Sequence, residues 1–229
     1  MPVTDDVLFE APLFAALDDE PAAALLATMG PVTLPRGDVL FTEGEPGDRL
    51  YVITEGKIKL GATSSDGRET LLAILGPGEM FGELSLFDPG PRTATATALT
   101  DARVVGLGNT DLMPWLTGRP EVAVSLLGAL ARRLRRTNDA MADLVFSDVP
   151  GRVAKALLDL ASKFGVEAED GSVHVVHDLT QEELAQLVGA SRETVNKALA
   201  DFQTRGWLRL EQRGVDLVDV ERLERRATN

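Results

Sequence analysis

The spacing of hydrophobic residues changes several times along the chain. Residues 4–29 have a helical spacing, with Asp18 as the cap of a second short helix and Gly30-Pro31 as its end. From Val32 to about Leu107, glycine, proline or aspartate separates short apolar runs at intervals of about 8 to 12 residues, which predicts an all-β barrel or sandwich. The strands are expected at residues 39–42, 49–54, 57–63, 69–75 and 95–107.

A single long helix is predicted from Pro120 to Phe146, about 40 Å in length at about 1.5 Å per residue. Its apolar residues form one narrow stripe, which is typical of a helix that pairs with another helix. The stripe consists of Ala123, Leu126, Leu127, Leu130, Leu134, Met141, Leu144 and Val145. Thr137 lies within this stripe and Asn138 at its edge, where leucine or valine would pack better. These two polar residues therefore need an explanation, and fixing the register of a coiled coil is one.

A second domain is predicted after the long helix. Ser147 or Asp148 caps a helix that runs to Lys163. An acidic loop at residues 167–172 and a short strand at residues 173–176 follow this helix. The pattern marks residue 147 as the approximate domain boundary.

Two capped helices in close succession predict a helix-turn-helix within this domain. Thr180 and Glu183 form a capping box for the first helix, which ends at Val188. Ser191 caps the second helix, which runs from residue 192 to about residue 205. Two predicted strands, at residues 207–210 and 215–218, add a β wing.

The start of the second helix carries a mixed set of charges. In a helix-turn-helix the second helix enters the major groove of DNA, and residues near its start meet the base edges. Arg192 can donate to guanine, Glu193 can accept from cytosine, and Lys197 lies one turn further along the helix. The alternative is an exposed Glu193/Lys197 ion pair on an ordinary pair of helices.

Two opposite charges flank a glycine-led turn in the predicted β domain. The segment GELSLF at residues 82–87 is followed by Asp-Pro-Gly-Pro and then by Arg92-Thr93. Glycine lets a ligand approach the backbone, and arginine can bind phosphate through two N–H donors. Glu83 would repel a bare phosphate but can accept a hydrogen bond from a ribose hydroxyl. A nucleotide satisfies both residues, and the alternative is a surface Glu/Arg pair at a turn.

Charge and composition narrow the function further. The chain of 229 residues has a net charge of −13, and most of the acidity lies in residues 1–118, which hold 18 acidic and 7 basic side chains. Between residues 191 and 213 five basic side chains outnumber three acidic ones, which supports a local DNA-binding face. The absence of cysteine excludes disulfides, cysteine-bound clusters or zinc, and thiol catalysis. With no signal-like or membrane-spanning pattern, we expect a soluble cytoplasmic protein.

With these motifs in order, the chain resembles the family of bacterial transcription factors that includes the cyclic-AMP receptor protein and the fumarate and nitrate regulator. The resemblance covers nearly the whole chain. It is carried by GDRLYVITEGKIKL at residues 47–60, FGELSLF at 81–87 with Arg92-Thr93, the long helix, and LTQEELAQLVGASRETVNKAL at 179–199.

The resemblance implies an α+β fold in three parts. These are a jelly-roll-like β-roll that binds cyclic nucleotides (1–118), a dimerisation helix (119–147) and a winged helix-turn-helix domain that binds DNA (148–229). It also implies cyclic AMP as an allosteric effector and a homodimer formed through residues 120–146. The expected partners are double-stranded DNA of near-palindromic sequence and, beyond that, RNA polymerase.

The resemblance also implies the residues of each site. The cyclic AMP contacts would be Gly82, Glu83, Leu84, Ser85, Arg92, Thr93, Thr137 and Asn138. Glu83 would bind the ribose hydroxyl and Arg92 the phosphate, while Thr137 and Asn138 would contact the adenine from the dimer seam. The DNA contacts would be Thr180, Gln181, Ser191, Arg192, Glu193, Thr194 and Lys197.

Other functions fit these residues less well. A hydrolase of cyclic nucleotides would need a metal or a general base, and the only histidines, His174 and His177, lie far in sequence from Arg92. No catalytic residue and no metal site is therefore expected. Without cysteine or an N-terminal histidine, the iron–sulfur and haem branches of the family are excluded. A regulatory cyclic-nucleotide module with weak or ligand-independent DNA binding remains the alternative, and activation and repression stay equally open.

Overall fold

The computed structural model describes residues 5–9 and 11–228 and divides the chain into two compact units. The first unit contains residues up to 135 apart from Glu69–Leu71, and the second contains those three residues and the chain from Arg136 onward. The boundary between the units therefore lies within the long helix. No helix among the described residues combines the length and the apolar character needed to cross a membrane.

The first unit is built on two four-stranded sheets. Its strands are β1 (Gly30–Leu34), β2 (Val39–Phe41), β3 (Arg49–Glu55), β4 (Ile58–Thr63), β5 (Glu69–Leu75), β6 (Met80–Phe81), β7 (Thr95–Ala98) and β8 (Ala102–Gly108). The strand order is β1-β8-β3-β6 in one sheet and β2-β7-β4-β5 in the other. The helices are α1 (Asp5–Phe9), α2 (Asp19–Leu26), α3 (Leu84–Phe87), α4 (Asn109–Gly118) and α5 (Pro120–Phe146).

The central strands β3 and β8 are buried on both faces. Successive side chains of a strand point to opposite sides of the sheet. Ile53 and Val104 pack into a core shared by the two sheets, whereas Val52 and Val105 pack into a second core with the helices. The first unit therefore has three layers, with helices, one sheet and the other sheet in that order.

The predicted strands are confirmed with local differences. The expected strand at residues 95–107 is two strands, β7 and β8, which are separated by a turn at residues 99–101. The strands β1 and β6 were not predicted. The predicted end of the second helix at Gly30-Pro31 is wrong, because α2 ends at Leu26 and Gly30 begins β1, which pairs with β8. Asp18 occupies the cap position of α2, but its side chain makes no cap hydrogen bond.

The second unit contains the helix-turn-helix and a small sheet. Its elements are α6 (Val149–Phe164), β9 (Gly165–Glu167), β10 (Val173–Val176), α7 (Gln181–Val188), α8 (Arg192–Thr204), β11 (Leu208–Leu210), β12 (Gly214–Leu217) and α9 (Val220–Thr228). The sheet order is β11-β12-β10-β9. The capping box is confirmed, since the Thr180 hydroxyl accepts from the Glu183 N–H at 3.1 Å and the Glu183 carboxylate accepts from the Thr180 N–H at 2.8 Å. The strand β9 and the helix α9 were not predicted.

The long helix α5 has the predicted bounds, and most of its apolar stripe is exposed. Leu126 is only 1% exposed, because it packs into the core of the first unit. Farther along the helix, Leu134 and Met141 are each 62% exposed, and Val145 is 73% exposed. A single chain therefore leaves a row of large apolar side chains in contact with water.

The residue that caps α6 also holds the last helix. The Asp148 carboxylate accepts from the Gly151 N–H at 2.9 Å and from the Arg226 guanidinium at 2.5 and 2.7 Å. The hydrogen bond from Arg226 lowers the pKa of Asp148 below its ordinary value. Asp148 thus joins the first turn of α6 to α9.

We expect Asp148→Ala to lower the free energy of unfolding of the second unit by about 1 kcal/mol at neutral pH, mainly through loss of the cap. Because the folded-state pKa is lowered, this contribution is present above about pH 4 and is lost as the pH falls through the lowered pKa. The difference from wild type should therefore shrink in acid. Urea unfolding followed through Trp207, in a Trp115→Phe background, measures it.

Asp201→Ala is the matched control, because it removes an exposed carboxylate that is bonded to Arg205 on α8. Such a pair contributes only a few tenths of a kcal/mol, about 0.3–0.5. Equal losses for the two variants at neutral pH would contradict the role of Asp148.

Candidate functional site

Arg92 is buried in the first unit, with only 5% of its surface exposed. Its backbone is fixed by two hydrogen bonds to the segment that precedes β3: the Arg92 N–H donates to Glu45 at 2.7 Å, and the Arg92 carbonyl accepts from Gly44 at 2.8 Å. One terminal nitrogen of its guanidinium donates to the Gly82 carbonyl at 2.8 Å and to the Ser85 hydroxyl at 3.3 Å. The side chain is thereby held against the α3 turn.

The guanidinium of Arg92 has neutral neighbours. Its central carbon lies 4.2 Å from the ring centre of Phe41 and 5.9 Å from that of Tyr51. Within the described residues it forms no ion pair with a carboxylate, and its Nε is buried without a hydrogen-bond partner. Burial lowers the pKa of Arg92 and raises that of Tyr51. A buried cation of this kind is suited to an anion that arrives from outside the chain.

Glu83 is more deeply buried still, at 1% exposure. Its Oε1 accepts a hydrogen bond from Arg133 of α5 at 2.9 Å, and its Oε2 is buried with no partner among the residues that the structure describes. Arg133 was not predicted as a site residue. The signal that could have found it is its position four residues before Thr137, which places the two side chains one turn apart on α5.

Two glycines let the backbone pass close to Arg92. Gly82 has a φ of +78°, and a Cβ at this position would lie 2.8 Å from the Arg92 guanidinium. A Cβ on Gly47 would lie 2.2 Å from the Ser85 hydroxyl and 2.9 Å from the Arg92 Nε. A larger residue at either position would displace the arginine.

The structure thus brings together four of the predicted ligand contacts, namely Gly82, Glu83, Ser85 and Arg92. The side chains of Leu84 and Thr93 belong to the same segment but are exposed. The two unpartnered atoms have complementary chemistry, because Glu83 Oε2 can only accept and Arg92 Nε can only donate. A molecule with a hydroxyl and an anionic oxygen would satisfy both.

Thr137 and Asn138 lie on an exposed face of α5, in the part that belongs to the second unit. Their side chains share this part of the helix with the exposed apolar stripe. Their expected contact with a base stays a prediction.

The predicted DNA-reading residues lie on one exposed face of α8. The opposite face is buried through Val195, Ala198, Leu199 and Phe202. The exposed face carries Arg192, Glu193, Thr194 and Lys197, and Ser191 caps the helix by accepting from the Thr194 N–H at 3.2 Å. Lys197 donates to Glu193 at 2.7 Å. Thr180 and Gln181 are exposed at the start of α7.

One residue that was not predicted, Arg152 of α6, fixes the turn of the helix-turn-helix. Its guanidinium donates to the Val188 carbonyl at 3.0 Å and to the Gly189 carbonyl at 3.3 Å, at the C-terminal end of α7. It also donates to the Ser147 carbonyl at 2.7 Å, just past the end of α5. Carbonyl groups at helix ends lack partners within the helix, so one side chain satisfies two such ends.

Comparisons with known proteins identify the two domains in which these residues lie. Residues 31–117 match the family described as a cyclic nucleotide-binding domain, and residues 151–226 match a Crp-like helix-turn-helix domain. A CRP-like cAMP-activated global transcriptional regulator from Mycobacterium tuberculosis is 58% identical over 97% of this chain and 99% of its own length. The chain belongs to the CRP/FNR family of transcription regulators.

Two Thermus thermophilus members of the CRP/FNR family are more distant. A cyclic AMP receptor protein is 36% identical over 93% of this chain and 95% of that protein. The crystal structure of a CRP/FNR-family regulator is 31% identical, with a TM-score of 0.73, over 87% of this chain and 99% of that one. The predicted family and its fold, with a β-sheet nucleotide-binding domain, a long helix and a helix-turn-helix, are confirmed, and the family consists of regulators rather than enzymes.

We expect Arg133→Met to lower the free energy of unfolding of the first unit by about 2 kcal/mol, because a buried carboxylate then loses its cation. Adding Glu83→Gln to this variant should restore part of the loss, since the charge is removed. Thermal unfolding of the three variants, followed through Trp115 in a Trp207→Phe background, measures both effects.

Arg103→Met serves as the comparison, because Arg103 pairs with an exposed carboxylate, Glu55. That change should cost less than about 0.5 kcal/mol. If Arg133→Met lowers the free energy of unfolding by no more than this, the ion pair between Arg133 and Glu83 does not stabilise the buried carboxylate.

Proposed function

We propose that this protein is a cyclic-AMP-activated homodimeric transcription regulator that binds near-palindromic DNA. The observation that carries the proposal is the pair of buried atoms without partners, Glu83 Oε2 and Arg92 Nε, in the cyclic-nucleotide-binding domain. Unpartnered buried polar groups cost about 1–3 kcal/mol each, so a molecule that satisfies them gains affinity. The names of the relatives, which include cAMP-activated regulators, favour cyclic AMP as that molecule.

In the proposed complex, the ribose 2′ hydroxyl donates to Glu83 and a phosphate oxygen accepts from Arg92. The Ser85 hydroxyl, which already accepts from Arg92, can also donate to the phosphate. Gly82 and Gly47 leave room for the arginine side chain, and the backbone of Leu84 and Thr93 completes the phosphate side. Thr137 and Asn138 bind the adenine. The ligand needs a hydroxyl to donate to the carboxylate of Glu83 and an anionic oxygen to accept from the guanidinium of Arg92.

The proposed dimer forms through residues 120–146. The exposed apolar side chains of α5 support it, because a contiguous row of them is costly to leave in water. Its period is that of a helix packing along a partner helix. Pairing of the two helices would also place Thr137 and Asn138 at the dimer interface. Their proposed contact with the adenine explains why this interface is not purely apolar.

The proposed DNA contacts are Thr180, Gln181, Ser191, Arg192, Glu193, Thr194 and Lys197. Two reading helices related by the two-fold axis of a dimer would enter successive major grooves, about 34 Å apart. The operator would therefore be a near-palindrome. Arg192 would specify guanine and Glu193 cytosine, while the side chains at the start of α7 would bind phosphates.

Cyclic AMP would act by preferring the state in which the two reading helices are correctly spaced. The effect is limited by the difference in ligand affinity between the two states, which for allosteric proteins is commonly about 1–3 kcal/mol, or about 5- to 150-fold. In this mechanism, residues 1–118 bind the nucleotide, residues 119–147 form the dimerisation helix and residues 148–229 bind DNA.

The proposed location and further partner follow from the DNA target. A protein that binds bacterial DNA works in the cytoplasm, and activation would require contact with RNA polymerase.

We expect Arg92→Ala to weaken cyclic AMP binding by about 10- to 100-fold, because a buried, charge-assisted hydrogen bond to phosphate contributes about 1.5–3 kcal/mol. Calorimetric titration with cyclic AMP and cyclic GMP measures this and ranks the two bases. The exposed neighbour Arg49→Ala is the control and should bind normally. Undiminished binding by Arg92→Ala would reject the pocket.

A ligand change tests Glu83 separately. Cyclic AMP that lacks its 2′ hydroxyl should bind wild type about tenfold more weakly, since one hydrogen bond to a charged group is lost. The same analogue and cyclic AMP itself should bind Glu83→Ala with similar affinity. A persistent preference for the hydroxyl in that variant would assign the ribose to another residue.

We expect Arg192→Ala and Glu193→Ala each to cost about 1–3 kcal/mol on a palindromic operator and to relax the preference at one base pair per half-site. Gel-shift titrations with operators that carry single base changes measure the loss of affinity and identify the base pair at which the preference is relaxed. Arg205→Ala, near the other end of the same helix, is the matched control and should keep the sequence preference. Unchanged preference in all three variants would exclude α8 as the reading helix.

We expect the double change of Thr137 to Val and Asn138 to Leu to strengthen dimerisation and to weaken cyclic AMP binding. The added apolar area favours the seam by up to about 1 kcal/mol per side chain, whereas the adenine loses its polar partners. Analytical ultracentrifugation and calorimetry separate the two effects. Tighter dimers with normal nucleotide affinity would show that these residues serve only the seam.

A further inference from the structure

The guanidinium of Arg92 is held by an aromatic face as well as by hydrogen bonds. Three rings, Phe41 of β2, Tyr51 of β3 and Phe81 of β6, are in mutual contact, with ring centres 5.6 to 6.0 Å apart. We call them the aromatic triad. The Arg92 guanidinium lies over Phe41 at 4.2 Å and less closely over Tyr51 at 5.9 Å, and among the described residues it does not lie over Phe81.

The backbone of β2 places Phe41 for this contact. The strand pairs with β7 through Val39 opposite Thr97 and Phe41 opposite Ala96, so the register shifts by one residue between the two pairs. Such an irregularity re-aims a side chain relative to a regular strand. Phe41 is buried here, whereas Val39 is exposed.

The charge of Arg92 needs this face because no carboxylate among the described residues forms an ion pair with it, and carboxylates act on it only from farther away. The buried carboxylate in the same segment, Glu83, is bonded to Arg133 instead. The contacts of Arg92 are a carbonyl, a hydroxyl and aromatic rings, all neutral. The negative face of an aromatic ring attracts a desolvated cation strongly. The ring can therefore stabilise the charge of Arg92 in place of an ion pair. Because the ring contacts the face of the guanidinium, the N–H groups at its edge stay available to bind an anion.

We propose that Phe41 is a positioning residue that holds the Arg92 guanidinium for the phosphate of the ligand. This inference rests on the proposed nucleotide site and adds to it. Without the ring, a buried cation gains by swinging toward water, so a smaller fraction of molecules holds the arginine in place. Apparent affinity falls in proportion to that fraction. The aromatic face thus determines the fraction of ligand-free molecules in which Arg92 is already positioned to bind an anion.

A double-mutant cycle without ligand tests the first half of the inference. Phe41→Leu and Arg92→Met are made singly and together, and the unfolding equilibrium constant of the first unit is measured in urea. Coupling through the ring means that the double variant changes this constant by about five- to tenfold less than the product of the single changes. The same cycle with Phe81→Leu should be multiplicative. Multiplicative behaviour at Phe41 would overturn the proposal.

Titration with cyclic AMP tests the second half. Phe41→Leu should weaken binding about tenfold, whereas Phe81→Leu should lose a similar amount of packing and keep its affinity. In an Arg92→Ala background the change at Phe41 should have no further effect on residual binding. Normal or tighter binding by Phe41→Leu, or an equal loss at Phe81, would refute the positioning role.

Ring-fluorinated phenylalanines at residue 41 keep the shape of the side chain if leucine proves too disruptive. Adding fluorine atoms stepwise withdraws charge from the ring face, so affinity should fall stepwise from mono- to trifluoro substitution. Flat affinity across the series would refute the proposal. Failure of wild type to bind any cyclic nucleotide would instead reject the proposed function, while the ligand-free cycle would still decide whether Phe41 holds Arg92.

Discussion

The first unit depends on one constraint, which is that the buried guanidinium of Arg92 forms no ion pair with any carboxylate in the described part of the chain. Removing an ion from water costs several kcal/mol even after the protein relaxes, about the stability of a whole small domain. Among the residues that the structure describes, the hydrogen-bond and ring partners of Arg92 are neutral, and the buried carboxylate Glu83 is neutralised from another helix by Arg133. The two opposite charges are therefore kept apart although they lie in one short segment. If Glu83 formed an ion pair with Arg92, the guanidinium would be neutralised and would attract an anion only weakly.

The three-layer arrangement makes this separation achievable. Because β3 and β8 are buried on both faces, the sheet is fixed from two sides, and the segment after β6 starts from a rigid position. The groups that surround Arg92 then come from separate elements: Phe41 from β2, Ser85 from α3, and the Gly47 backbone from the turn before β3. Each is close to the arginine only in the folded chain. The contacts that hold Arg92 therefore form only as the domain folds.

Local signals predicted most of the elements, and tertiary pairing accounts for the rest. The apolar stripe gave α5, and caps and glycines gave α7 and α8, nearly to the residue, because these signals lie in the local sequence. The strand β1 was missed because Gly30-Pro31 reads as a helix end, and only its pairing with β8 makes it a strand. Glu83 and Arg92 could be recognised from their segment alone. Arg152 and Phe41 could not, since their roles depend on partners that are distant in sequence. Arg133 had only its spacing from Thr137 as a signal, because Glu83, its partner, is also distant in sequence.

The bond between Lys197 and Glu193 has a consequence for the search along DNA. On the free surface of α8 the lysine is already neutralised by its neighbour, and the chain as a whole carries a net charge of −13. Non-specific binding to DNA arises almost entirely from cations released against phosphates, so it is weak when few cations are available. With Lys197 paired in this way, the protein should bind unrelated sequences more weakly than it would with an unpaired lysine at this position. Occupancy of an operator would then depend more on the proposed base contacts of α8 than on a reservoir of loosely bound molecules.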